Sequence, residues 1–468
     1  MEQWASEKVS SAALEQFFQR LQEHGTQLHA LEIFERGQCL VRWGVAPYRC
    51  SDQREVYSLS KSFAATAVGL AFDRGLLHPD DLLSRYFPQQ TAAQRDPRWR
   101  RVRLRHLLSM TVGHGACPMP QMAFAPDAVQ AFFAAPLEFE PGEHFAYSTG
   151  ASCILAEVVR RATGTTVPDL LARELFGPMG IKEIAWDSCA DGRCQGGTGL
   201  KASCDDVAKL GLLYCAGGVW QGRRLLSQQW VEMATCQQAV NSQNGTPDWC
   251  AGYGFQFWRN KEEGFRGDGA FGQLCVVLPK RELVVAVMAE STDMAAELDI
   301  LWELLRGLHS GGPGQGLPPA YAPQGALADK EWDSGWLDCG ENPMGFTAMR
   351  AWSAQGRAAL SLCDGSRCQT LELEQGRWTH NRLWAKQLRP SLYRQMPRTG
   401  SQLLLLEAAA GWEGDVFVLE CRMRNTPHSF CWRLCPVEGG VQVRLSSALD
   451  VFGTAGSWDA GGAVQRDC

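Results

Sequence analysis

Residues 57–77 read YSLSKSFAATAVGLAFDRGLL, in which a hydroxyl and a lysine three residues apart, Ser58 and Lys61, precede a run of small and apolar residues. That run predicts a buried helix. Positions i and i+3 share a helix face, so the lysine can sit over the serine. A serine hydroxyl is a poor nucleophile until a base takes its proton. Burial under the apolar run would lower the lysine pKa enough to leave a neutral fraction at pH 7, and the unpaired N–H groups of the helix start, that of Ser58 included, would stabilise an oxyanion. Serine is also a favoured helix N-cap, and the pair by itself admits both roles. It is the only Ser-x-x-Lys spacing in the chain. Ser60 and Ser62 are rival hydroxyls, and Ser60 directly precedes Lys61, which puts it on a different face.

Outward from this stretch the chain alternates between helical and strand patterns. SSAALEQFFQRLQEHG, with Leu14, Phe17, Phe18 and Leu21 on one stripe and a stop at Gly25, predicts a helix. LHALEIFERG and QCLVRWG predict a hairpin; much later GYGFQFWRN, GQLCVVLP and ELVVAVMAES predict further strands. Strands at both ends with helical patterns between them imply an α+β domain over residues 1–310, an antiparallel sheet flanked by helices plus an all-helical subregion. Residues 311–325, GGPGQGLPPAYAPQG, read as a Gly/Pro-rich linker. Residues 326–468 then alternate over strand lengths between turn residues and predict a small all-β domain.

The 468 residues carry a net charge of −6, with 21% charged residues, so the basic excess of nucleic-acid binding is missing. No apolar run reaches the roughly 18 residues of a membrane helix, and the first residues, MEQWASEKVSSAALEQ, have acids where an export signal has its basic start. A cytoplasmic protein that meets neither nucleic acid nor membrane is expected. The 18 cysteines are accordingly expected as reduced thiols, and their spacing lacks the histidines of a zinc pattern, so no metal is expected.

Five segments follow in order: YSLSKSF, LRHLLSMTVGH at 104–114, PGEHFAYSTGASCILAEVV at 141–159, GGTGLKASCDDVAKLGLLY at 196–214 and GDGAFGQLCVVLPKRELVVAV at 267–287. Together, over about residues 25–305, they resemble the serine hydrolases of the class C β-lactamase-like superfamily, relatives of penicillin-binding proteins that include D-alanyl-D-alanine peptidases, esterases and 6-aminohexanoate-dimer hydrolases. The resemblance implies Ser58 as acylated nucleophile, Lys61 as base and Tyr147 as proton shuttle, with no cofactor. Read without it, Tyr147 is a core tyrosine beside Phe145. The family's Tyr-x-Asn stands here as Tyr147, Ser148 and Thr149, and a threonine offers fewer donors than an asparagine to orient substrate. GDG, at Gly267, Asp268 and Gly269, takes the third motif's place, and Ala270 would donate the second oxyanion N–H. Gly269 would let substrate approach the strand.

Asp268 would repel a substrate carboxylate unless Arg266 compensates, so a poor β-lactamase acting on neutral or amine-bearing esters or amides is expected. Gln273 in GAFGQ either touches substrate or finishes a tight turn, and His114 is a candidate substrate contact beside the site. His106 reads as structural, Trp258 and Phe257 as core or pocket wall. Two alternatives to a hydrolase stand: a binding protein that keeps the fold without turnover, and a transacylase. The expected partner is a small-molecule ester or amide; the oligomeric state is not fixed by the sequence.

Overall fold

A computed structural model of the chain describes residues 3–182, 184–310, 330–342, 344–374, 377–386, 401–447 and 456–463. The predicted linker at 311–325 lies outside the described residues. The chain divides into two compact units, one of Glu2–Gly44 with Cys50–Leu317, the other of Val45–Arg49 with Pro318–Cys468.

The first unit is built on an antiparallel sheet of β1 (Gln3–Ala5), β2 (Gln27–Glu35), β3 (Gln38–Gly44), β4 (Trp258–Arg259), β5 (Phe265–Gly269), β6 (Gln273–Leu278) and β7 (Leu283–Glu290), in the order β1-β3-β2-β7-β6-β5-β4. The N-terminal hairpin joins the C-terminal strands through the β2–β7 pair, Val285 opposite Ile33. Every residue of β7 is buried, as a central strand covered on both faces requires. The sequence-predicted strand GYGFQFWRN shrinks to the two residues of β4, because Gln256 takes a left-handed φ of +66° and turns the chain before Phe257.

Helices α1 (Ser11–Glu23), α2 (Ser60–Asp73), α3 (Thr149–Thr163), α4 (Cys204–Cys215) and α5 (Met294–Gly307) pack around this sheet and the helical subregion. Ser10 caps α1 by accepting from the Ala13 N–H, and Leu14, Phe17 and Leu21 form its buried stripe. α2 is buried from Ser60 to Ala71. Its small residues make this possible: a Cβ on Gly69 would lie 2.4 Å from Nε1 of Trp230. Among the described residues, no helix is long and apolar enough to cross a membrane.

The second unit is an antiparallel meander that curls into a barrel-like sheet. Alternation sets its inside: in Gly440–Ser446, Val441, Val443 and Leu445 are buried while Gln442 and Arg444 face out. The interior is filled by side chains, among them Leu360, Leu404, Phe417 and Trp432. The two end strands, Cys368–Glu374 and Thr379–Lys386, meet through Asn381, whose Oδ1 accepts from the Glu372 N–H (2.8 Å) and whose Nδ2 donates to the Glu372 carbonyl (2.9 Å). One expectation about the cysteines is corrected here. Cys363 and Cys368, directly opposite in their hairpin, are joined by a disulfide rather than held as two thiols.

Candidate active site

The Ser58 segment begins with a turn that the sequence alone did not separate from the helix. Tyr57–Leu59 forms a single 3-10 turn, and α2 starts only at Ser60. The turn arises because Tyr57 holds a left-handed φ of +48°, and its ring packs edge to face on Phe271. Ser60 ties the turn down: its hydroxyl donates to the Tyr57 carbonyl and accepts from the Leu200 N–H.

Lys61 rises from the first turn of α2, 1% exposed. Its Nζ stands 3.0 Å from Ser58 Oγ, 3.0 Å from Thr149 Oγ1 and 2.7 Å from the Gly197 carbonyl. Burial penalises the ammonium and draws the pKa down to about 7, against weaker pulls upward from Cys117 and Asp268. Tyr147 is the next neighbour, its ring centroid 4.8 Å from Nζ. That ring stacks on Trp258 and meets Tyr253 edge to face, so the tyrosine is a wall of the lysine pocket. Thr149 opens α3 behind its N-cap Ser148, which accepts from the Ala151 N–H.

The opposite side of the site is β5. A Cβ on Gly267 would lie 2.4 Å from Leu59 Cδ1, and one on Gly269 would lie 2.0 Å from the Val56 carbonyl oxygen. These glycines therefore let the Ser58 turn press against the strand. This gives Gly269 a reason that the sequence reading, which looked only to substrate, lacked. Ala270 follows at the turn into β6, partly exposed like Ser58.

Asp268 and Arg266 face each other inside the protein. Arg266 Nε and Trp249 Nε1 each donate to Asp268 Oδ2 at 3.1 Å, and Arg266 Nη2 donates to the Asp248 carbonyl. Burial nonetheless raises the Asp268 pKa, the arginine pulling the other way.

Two candidate contacts take other places. Gln273 is wholly buried, with Nε2 donating to the carbonyls of Phe271 (2.9 Å) and Ala289 (2.8 Å), so its amide orders the β5–β6 turn instead of reaching into the site. His114 packs between Phe132 and Trp99, ring centroids 4.9 and 5.6 Å away, and burial lowers its pKa to about 4. Aromatic rings and the Ala135 backbone surround it.

The sequence reading missed the Gly197 carbonyl as a lysine acceptor, although GGTGL was among the segments it singled out. It also missed Gln256, whose Oε1 accepts from Ser152 and whose Nε2 donates to the Leu107 and Leu108 carbonyls.

The profile of the Beta-lactamase family matches residues 14–308. A D-aminopeptidase of Brucella anthropi is 28% identical over 206 residues, 40% of this chain and 39% of that protein, so the match spans well under half of that relative. A 6-aminohexanoate-dimer hydrolase of Paenarthrobacter ureafaciens is 24% identical over 302 residues, 59% of this chain and 75% of that protein. Among solved structures, the octameric penicillin-binding protein homologue from Pyrococcus abyssi shares the fold with a TM-score of 0.52 at 16% identity, covering 92% of this chain and 97% of its own.

Proposed function

Because this chain belongs to the Beta-lactamase family, we propose that it is a serine hydrolase that cleaves an ester or amide through an acyl-enzyme on Ser58. The observation that carries this reading is the 3.0 Å approach of a buried lysine, with its pKa drawn to about 7, to the serine hydroxyl. Neutral Lys61 takes the proton as Ser58 Oγ attacks the carbonyl. The N–H groups of Ser58 and Ala270 receive the oxyanion. Lys61 and Tyr147 then pass a proton to the leaving group. In the second half-reaction Lys61 accepts a proton from the attacking water, and as the bond between the acyl carbon and Ser58 Oγ breaks it returns that proton to Ser58, releasing the acid. Thr149 and Gly197 hold Nζ in place throughout.

Substrate charge follows from Arg266. Its guanidinium is committed to Asp268 and the Asp248 carbonyl and lies 5.0 Å over the Trp249 ring, so no cation is presented to a substrate carboxylate from this strand. Neutral or amine-bearing esters and amides are therefore the proposed class, and penicillins poor substrates. The names of the relatives, D-aminopeptidase and 6-aminohexanoate-dimer hydrolase, support an amide that carries an amine.

Intact mass after a fluorophosphonate, with turnover of a chromogenic short-chain ester, tests the reading. One adduct on the wild type, absent from Ser58→Ala with turnover lost in parallel, is expected. A wild type that carries no adduct and turns over nothing would leave a binding protein, and products that change on adding an alcohol or amine acceptor would make it a transacylase. A penicillin hydrolysed as fast as the ester would overturn the substrate class.

A further inference from the structure

The sulfur atoms of Cys153 and Cys189 lie 3.8 Å apart, both residues buried, and no step of the hydrolysis uses them. Their place is what matters. Cys153 stands one helical turn beyond Thr149 on α3, and Cys189 begins the segment that ends at Gly197. The two thiols thus face each other across the seam between the two pieces of chain that supply Lys61 with acceptors.

The seam is close-packed. A Cβ on Gly196 would lie 2.5 Å from the Ser152 carbonyl oxygen, and one on Gly197 would lie 2.8 Å from Ser152 Cβ. The Cys153 thiol also points at the Cys194 carbonyl, 3.6 Å away, while Arg193 reaches both Asp191 and Glu157 of α3. A displacement at Cys189 therefore has little slack before it reaches Gly197.

We propose that Cys153 and Cys189 are a peroxide-reactive dithiol whose closure to a disulfide moves the Gly197 segment against α3 and lowers hydrolysis by disturbing Lys61. The two thiols are unequal. Either sulfur can donate in the contact between them. The bond from Cys153 and the Arg193 charge favour the Cys189 thiolate, and Cys189 is the less buried of the two, 5% exposed against 2%, so it is the attacking sulfur.

Its thiolate attacks one oxygen of hydrogen peroxide; the O–O bond breaks, leaving a sulfenic acid on Cys189 and a hydroxide that takes up the proton Cys189 gave away. Cys153 then attacks the sulfenyl sulfur, the S–O bond breaks, and the departing hydroxide takes the Cys153 proton. Two thiols are oxidised, one peroxide is reduced and two waters leave. A disulfide brings sulfurs to about 2.05 Å, so closure draws the seam inward by an amount that matters beside a catalytic lysine.

The activity arm of this inference rests on the proposed hydrolase reading; the chemical arm does not. The full chain is treated with hydrogen peroxide, remaining thiols are alkylated, peptides are mapped, and ester hydrolysis and the hydrogen exchange of residues 189–200 are followed before and after dithiothreitol. Exposed Cys236 reports that oxidant was present. A Cys153–Cys189 cross-linked peptide is expected, with slower exchange over 189–200. Hydrolysis should fall by about tenfold or more, the scale of a catalytic group displaced by about 1 Å, and recover on reduction. Cys189→Ala should keep basal hydrolysis and lose the peroxide response.

Oxidised Cys236 beside an alkylated Cys153 and Cys189, or a Cys189–Cys194 link instead, overturns the dithiol. A cross-link that leaves hydrolysis unchanged overturns its control of Lys61. If the reduced protein hydrolyses nothing, the function reading fails, while the cross-link and the exchange over 189–200 still decide the inference.

Discussion

The rings of Tyr57 and Phe271 meet edge to face with centroids 5.1 Å apart, and both residues hold left-handed backbone, at φ of +48° and +67°. Each adjoins a proposed oxyanion donor, Tyr57 before Ser58 and Phe271 after Ala270. A left-handed non-glycine residue costs about 1–2 kcal/mol, so the ring contact helps to hold two turns that neither segment favours alone. An aromatic pair contributes about 0.5–1.5 kcal/mol beyond its burial. Phe271→Ala should therefore lower kcat/KM up to about tenfold, equally for esters of every acyl length. A loss confined to bulky acyl groups would make Phe271 a pocket wall instead.

As the proposed base, Lys61 should set the pH dependence of hydrolysis. With its pKa drawn to about 7 by burial, the neutral base appears as pH rises, so kcat/KM should climb with a midpoint near 7 and then level. Stability carries the same sign. The unfolded lysine keeps its proton to about pH 10.5 while the folded one releases it near 7, so between these values the unfolded state binds more protons and the unfolding free energy grows with pH. That gain is lost progressively as pH falls from about 10.5 to about 7, below which both states hold the proton. Lys61→Met should abolish hydrolysis and flatten the rise in melting temperature across that window. A wild-type kcat/KM unchanged between about pH 5.5 and 8.5 would remove Lys61 as the base, since its titration spans that range.

Thr149 tests what holds the lysine. Thr149→Val removes one of three acceptors around Nζ and leaves Ser58 and Gly197. An unsatisfied buried partner costs about 1–3 kcal/mol, so kcat should fall roughly ten- to a hundredfold with KM little changed and the Ser58 adduct still formed. A higher KM at unchanged kcat would place the threonine against substrate.

The serine–lysine register was legible in sequence because i and i+3 lie side by side in the 3-10 turn that carries Ser58 as they do in the α-helix expected there, and the sheet because its strands carry apolar runs at both ends of the unit. Groups whose role depends on tertiary neighbours were not. The Gly197 acceptor is a backbone carbonyl, which any residue supplies, so no residue type marks it. Gly269 was legible as a close approach, but that its neighbour is the Val56 carbonyl depends on how the Ser58 turn packs. His114 looked available beside an active-site motif, yet Trp99 and Phe132 lie elsewhere in the chain and only folding closes them around it. The Cys363–Cys368 bridge was hidden because five residues of spacing do not bring two thiols together, and only the hairpin register sets them opposite each other.

Gln273 separates the two roles its sequence left open. The Nε2 bonds to the Phe271 and Ala289 carbonyls fasten the turn bearing Ala270 to the end of β7, and Gln273→Leu fills nearly the same space without a donor. Each buried carbonyl left without that donor costs about 1–3 kcal/mol, so the melting temperature should drop. The Ala270 N–H would lose its fixed aim, and because every acyl group passes through the same oxyanion, kcat should fall by one common factor along a series of ester chain lengths. If Gln273→Leu instead reorders that series while stability holds, the amide reaches substrate, and the turn is held by other contacts.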